Sequence, residues 1–135
     1  MKQTTDTLYT TFIGGTVSSA AYLFGGLDHL LLSFAILLVC DFILGVLAGA
    51  GEAGISSKRA YRGLAKKAGM AIMIIVANTA DIVVGNDENF LRNAMIMFLI
   101  ATEGISIIEN LGRLGITVPD FLRNAFEQFK DKGDK

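Results

Sequence analysis

Apolar residues gather in four stretches along this chain, separated by short segments that hold most of its charge. The most continuous, residues 30–50, reads LLLSFAILLVCDFILGVLAGA and carries one ionisable group, Asp41, at its middle. At about 1.5 Å per helical residue its 21 residues extend about 30 Å, the thickness of a bilayer's hydrocarbon core, which predicts a transmembrane helix. Its 13 Leu, Ile, Val and Phe residues each favour insertion by roughly 0.3–0.6 kcal/mol, against about 3 kcal/mol for a central Asp. The span inserts despite the acid. An ionisable group at that depth has to be protonated, paired or turned towards water, so Asp41 is a functional candidate.

Three further stretches extend the pattern, at about 7–27, 68–85 and 93–111. The first lies between Asp6 and Asp28 and is diluted by Thr, Ser and four Gly. If it crosses the bilayer there are four spans and both chain ends are inside; if it is peripheral there are three and the N-terminus is outside. Its apolar part is interrupted by Gly14, Gly15, Thr16, Ser18 and Ser19 with no A-x-A site after it, which argues against a cleaved signal peptide. On a helical projection Ile13, Val17, Ala20 and Phe24 form one stripe and Thr11, Gly15, Ser18 and Tyr22 another, opposite one. The small, polar stripe suits close helix packing or the wall of a water-filled lumen. Beyond Pro119, Leu122, Ala125, Phe126 and Phe129 recur at helical spacing with Arg123, Glu127 and Lys130 opposite, which predicts an interfacial amphipathic helix over 119–130. Residues 131–135 read as a solvated tail. The expected architecture is a single membrane domain over residues 1–135. It is an all-α integral membrane protein with four transmembrane helices, three if the first is peripheral, and a short C-terminal amphipathic helix.

Charge placement orients these spans. Lys58, Arg59, Arg62, Lys66 and Lys67 crowd the connection before the third span, and Arg113, Arg123, Lys130, Lys132 and Lys135 fill the C-terminal end. Together they make ten of the twelve basic residues, which places the 51–67 connection and the C-terminus in the cytoplasm. The outer connections are then short, around 28–29 and 86–92. Within 54–69, Ser56 or Ser57 can cap a basic helix, with Tyr61 and Leu64 resting on the interface while the cations meet anionic headgroups. Topological anchoring is the plain role for these cations, and docking of a cytoplasmic partner the sharper one. A net charge of -1 leaves no footprint for nucleic acid. One His and one Cys exclude a structural zinc site and a disulfide framework, no cofactor is expected, and no nucleophile stands beside a base as an enzyme would need.

The remaining candidates are polar groups inside the spans. Asp41, Gly45 and Gly49 recur at i, i+4 and i+8, a small-residue seam headed by a carboxyl group that could donate a hydrogen bond when protonated. This seam serves either self-association or packing within the chain. The third stretch carries Asn78 and, nearer its outer end, Asp81; the fourth carries Glu103, Ser106, Glu109 and Asn110. Counting helical rise places Asp41, Asn78 and Glu103 at one mid-membrane level, where they can meet. Glu109 and Arg113, spaced i, i+4, are expected to pair at the inner boundary.

These residues resemble a known family. Asp41-x-x-x-Gly45, Ser56-Ser57-Lys58, Gly63, Lys66-Lys67, Asn93, the string Glu103-Gly104-Ile105-Ser106-Ile107-Ile108-Glu109-Asn110, Gly115 and Pro119 look like the toxin-secretion and phage-lysis holin family over about residues 30–125. The Glu103–Asn110 string is the specific part. The resemblance implies a protein of the bacterial cytoplasmic membrane that forms a homo-oligomer in the lipid bilayer. At a set time it opens lesions through which an endolysin or a secreted toxin leaves. Acids stored neutral between packed helices would then ionise on meeting water. Two alternatives from other classes are a proton- or ion-translocating subunit and a membrane adaptor that presents the basic connection.

Overall fold

The computed structural model describes residues 1–133 and holds five helices: α1 Lys2–Phe24, α2 His29–Ala53, α3 Ser57–Val84, α4 Phe90–Arg113 and α5 Asp120–Gly133. Three of them, α2, α3 and α4, are long and apolar enough to cross a membrane. The stretch predicted as the first span forms a helix, but α1 is not among these three, and residues 1–19 are all exposed. Five of its Thr and Ser hydroxyls bond carbonyls one turn back, as in Thr7 to Gln3, Thr16 to Phe12 and Ser19 to Gly15. That satisfies those hydroxyls without supplying a continuous apolar surface.

Helix ends follow local chemistry. Asp28 caps α2 by accepting from the Leu31 amide at 3.0 Å. The basic connection and the third stretch fuse into one helix, α3, whose cap residue Ser56 makes no side-chain capping bond. α1 stops at Gly25, where the chain turns left-handed at φ 71°, and a Cβ there would collide with Asn78 and Arg92.

α4 lies at the centre, packed against α2, α3 and α5, while α2 and α3 touch one another sparsely. Phe34 from α2, Met70 and Ile74 from α3, and Ile96 and Leu99 from α4 form the buried core. Leu32, Ile36, Val39, Ile43 and Leu47 recur along one face of α2 and are each more than half exposed, the surface a bilayer would cover.

The C-terminal helix packs on α4: the Ala125 and Phe126 part of its apolar face is half-buried, while Leu122 and Phe129 stay exposed and free to meet an interface. A Cβ at Gly104 would stand 2.5 Å from Phe126 Cδ1, so the Phe126 ring rests on bare α4 backbone, on the same helical face as the buried Ala101 and Ile108. Helix α5 also continues through Gly133, so residues 131–133 are helical and not tail; the rest of the predicted tail, 134–135, lies outside the described residues.

Candidate functional site

The polar residues of the bundle assemble into two clusters, one towards each end. In the cluster nearer the α2–α3 connection, the inner one in the expected orientation, Asp41 from α2, Lys67 from α3, and Glu103 and Asn110 from α4 converge. The Lys67 ammonium donates to Asp41 Oδ2 at 2.8 Å and to Glu103 Oε2, and Asn110 Nδ2 donates to Asp41 Oδ1 at 3.0 Å. Lys67 is 7% exposed and Glu103 2%, so two carboxyl groups share one cation with almost no water. Asn110 Oδ1 accepts from Arg113 at 2.9 Å, and Arg113 makes a two-bond fork to Glu52 at 3.0 and 2.7 Å. A continuous polar chain therefore runs from Glu103 inside the bundle to the exposed ends of α2 and α4.

The outer cluster binds α1 to the bundle. Arg92, 1% exposed, donates from Nε to the Phe24 carbonyl at 2.6 Å and from Nη2 to the Gly26 carbonyl at 3.0 Å. It also forks onto Asp28 at 2.6 and 3.1 Å. Asn78 Nδ2 donates to the carbonyls of Tyr22 and Leu23. Together the two side chains bond the carbonyls of Tyr22, Leu23, Phe24 and Gly26, where α1 runs out of helical donors. Asp81, fully buried, accepts from the amides of Leu91 and Arg92 at 3.0 and 2.8 Å and from Asn86, and so does the capping of α4 that Asn89 leaves undone. The hydrogen bond from Arg92 holds the Asp28 carboxyl below its ordinary pKa.

Several sequence expectations change here. Asn78 does not meet Asp41 and Glu103; it belongs to the outer cluster, because the end of α1 brings bare carbonyls to it. Lys67, read as a membrane-surface cation with Lys58, Arg59, Arg62 and Lys66, is buried while those four are exposed. Arg113 pairs with Glu52 across helices and not with Glu109, which is exposed. Ser106 is half-buried, and neither it nor Glu109 hydrogen-bonds through its side chain among the described residues. Asp41 accepts hydrogen bonds in place of donating one. Gly45 and Gly49 face groups of the same chain, with Cβ positions 3.6 Å from Asn110 Nδ2 and from Arg59 Nη1 respectively. Gly15 has nothing within 4 Å of a would-be Cβ and Ser18 is exposed, so these two positions of the stripe on α1 pack against nothing among the described residues.

Sequence reasoning missed Arg92 and Asp28. Arg92 stands in a connection expected to be outer, and a basic residue there, against the charge rule, is the signal of a paired cation.

A family model described as the bacteriophage holin family matches residues 18–131. An uncharacterized protein of Listeria innocua is 39% identical over 115 residues, 84% of this chain and 81% of its own. An uncharacterized 14.9 kDa protein of Clostridium perfringens is 31% identical over 111 residues, 82% of this chain and 84% of its own. A protein of Bacillus phage phi105 named a probable holin is 31% identical over 115 residues, 85% of this chain and 84% of its own. No solved structure matches.

Proposed function

The chain belongs to the bacteriophage holin family, and from that membership we propose that it accumulates in a bacterial cytoplasmic membrane, assembles with copies of itself, and opens lesions that release an endolysin or a toxin. The observation that carries the reading is Lys67 held between Asp41 and Glu103 inside a bundle of span-length helices. Replacing a buried ion cluster by well-packed apolar residues is often neutral or stabilising, so stability alone does not account for three ionisable groups there. Among the described residues no buried side-chain N or O atom lacks a hydrogen-bond partner, so the interior of the monomer holds its polar groups paired and away from lipid. Opening then exchanges intrachain pairing for water along the polar faces of α2, α3 and α4. Each subunit hydrates its faces only in a ring that holds enough neighbours, which makes opening steep in protein concentration. The exposed small-residue stripe of α1 adds a surface for a neighbouring copy.

Liposomes loaded with a small dye and a folded reporter protein test this. Release of both, rising steeply with protein-to-lipid ratio, is expected. Proton flux with retention of the reporter would replace the reading with an ion-translocating subunit, and tight vesicles would leave a membrane adaptor.

A further inference from the structure

Because α2 and α3 pack chiefly on α4, a groove opens between their ends nearest the basic connection. It encloses a cavity of about 200 Å³, bounded by Asp41, Gly45 and Gly49 on one side and Arg59, Gly63 and Lys67 on the other. The two helices run antiparallel, so the groove extends about 14 Å from the Asp41–Lys67 pair at its deep end to Arg59 and Ser56 at its mouth. We propose that this groove binds an anionic phospholipid of the inner leaflet, with the phosphate at Arg59 and an acyl chain along Phe42 and Val46.

Charge favours that occupant. At the deep end Asp41 is paired with Lys67, which it shares with Glu103, and Glu52, near the mouth, is engaged by Arg113. Arg59 has no ion-pair partner among the described residues, and its guanidinium stands at the wall, 3.6 Å from the Cβ position of Gly49. Lys58, Arg62 and Lys66 are exposed on the same part of α3, so the field at the mouth is positive. Ser56 leaves the first-turn amides of α3 without a side-chain cap, which adds donors to those of Arg59. Shape agrees as well. Glycine at 45, 49 and 63 keeps side-chain bulk out of the groove, and the apolar walls at Phe42, Val46 and Ala60 suit an acyl chain where a free anion would gain nothing. Basic pockets between membrane helices at the cytoplasmic side are a general mode of headgroup recognition.

The inference rests on the membrane placement and inward orientation of the basic connection and does not require lesions to form. Its test is native mass spectrometry of the full chain in mild detergent, with phosphatidylglycerol and phosphatidylcholine supplied in equal amounts. Preferential retention of phosphatidylglycerol is expected, reduced about fivefold by Arg59→Gln and hardly changed by Lys58→Gln, an equal loss of charge outside the groove. Gly63→Leu, which keeps every cation but fills the groove, should lower retention too. Equal retention of the two lipids, equal loss in the Arg59 and Lys58 variants, or full retention in Gly63→Leu would each overturn the site. The readout needs no pore, so its failure is distinct from failure of reporter release.

Discussion

A lysine ammonium between two carboxylates is costly to bury, and removing it alone is costlier still. Lys67→Met would leave Asp41 and Glu103 facing one another with only Asn110 as a donor, a loss of about 3–5 kcal/mol where a buried pair is broken from one side. Thermal unfolding in detergent should fall accordingly. The triple variant Lys67→Met, Asp41→Asn, Glu103→Gln, which removes all three charges together, should recover most of the loss. A single variant that melts like the parent would refute the pairing. Glu103 separates bonding from charge in the same way: Glu103→Gln can still accept from Lys67, whereas Glu103→Leu cannot. Gln is therefore expected to be stored like the parent and Leu to be less stable, and a shared defect in release would then belong to the charge. Asp41, Glu103 and Asn110 were legible beforehand because polar groups at calculable depth in apolar runs have to find partners. Lys67 was not, because next to Lys66 it reads as one more boundary charge. Successive residues of a helix point about 100° apart, and that turn sends Lys66 to the surface and Lys67 into the bundle.

At the scale of the helices, the sequence showed where α2, α3 and α4 lie, since long apolar runs fix length as well as type. It did not show that the basic connection is the first part of α3, because its cations interrupt the apolar signal without breaking the helix. The fold-back of α5 was equally hidden. An amphipathic face gives no address, and the missing Cβ at Gly104 is what gives the Phe126 ring room against α4. α1 is the element whose attachment depends most on ionised groups. The Asp28 carboxyl has its pKa lowered by Arg92, so its contribution is present above the ordinary carboxylate value and is lost as pH falls through the lowered one. With its side chain 48% exposed, Asp28 should contribute modestly, and the carbonyl bonds of Arg92 persist without it. Amide hydrogen exchange over residues 20–26 should stay constant from neutral pH down to about pH 4 and rise below it, after correction for the intrinsic exchange rate. Asp28→Asn should show raised exchange at neutral pH and no further acid step. An identical acid profile in the variant would show that Asp28 does not hold α1 in place.

For the molecule as a whole, orientation and span number decide what the clusters face. Three spans with the α2–α3 connection inside put the Asp41–Lys67–Glu103 cluster in the cytoplasmic half, and the Arg92 cluster and α1 at the outer surface. A buried, paired Arg92 does not count against that orientation as a free cation would, since Asp28 neutralises it. Single cysteines in a Cys40→Ala background test the arrangement with a membrane-impermeant thiol reagent applied to intact cells before lysis. Ser57→Cys and Lys132→Cys should remain unlabelled until the membrane is permeabilised, and Thr5→Cys should label at once. Labelling of Ser57→Cys from outside would invert the topology and move the proposed lipid groove to the wrong leaflet. A protected Thr5→Cys beside protected inner positions would instead carry α1 across the bilayer as a fourth span, with its Gly15 and Ser18 face left for a neighbouring copy or a lumen. The outer clamp would serve either case, because Arg92 and Asn78 fix only the last turn of α1 and leave the rest of that helix free of the bundle.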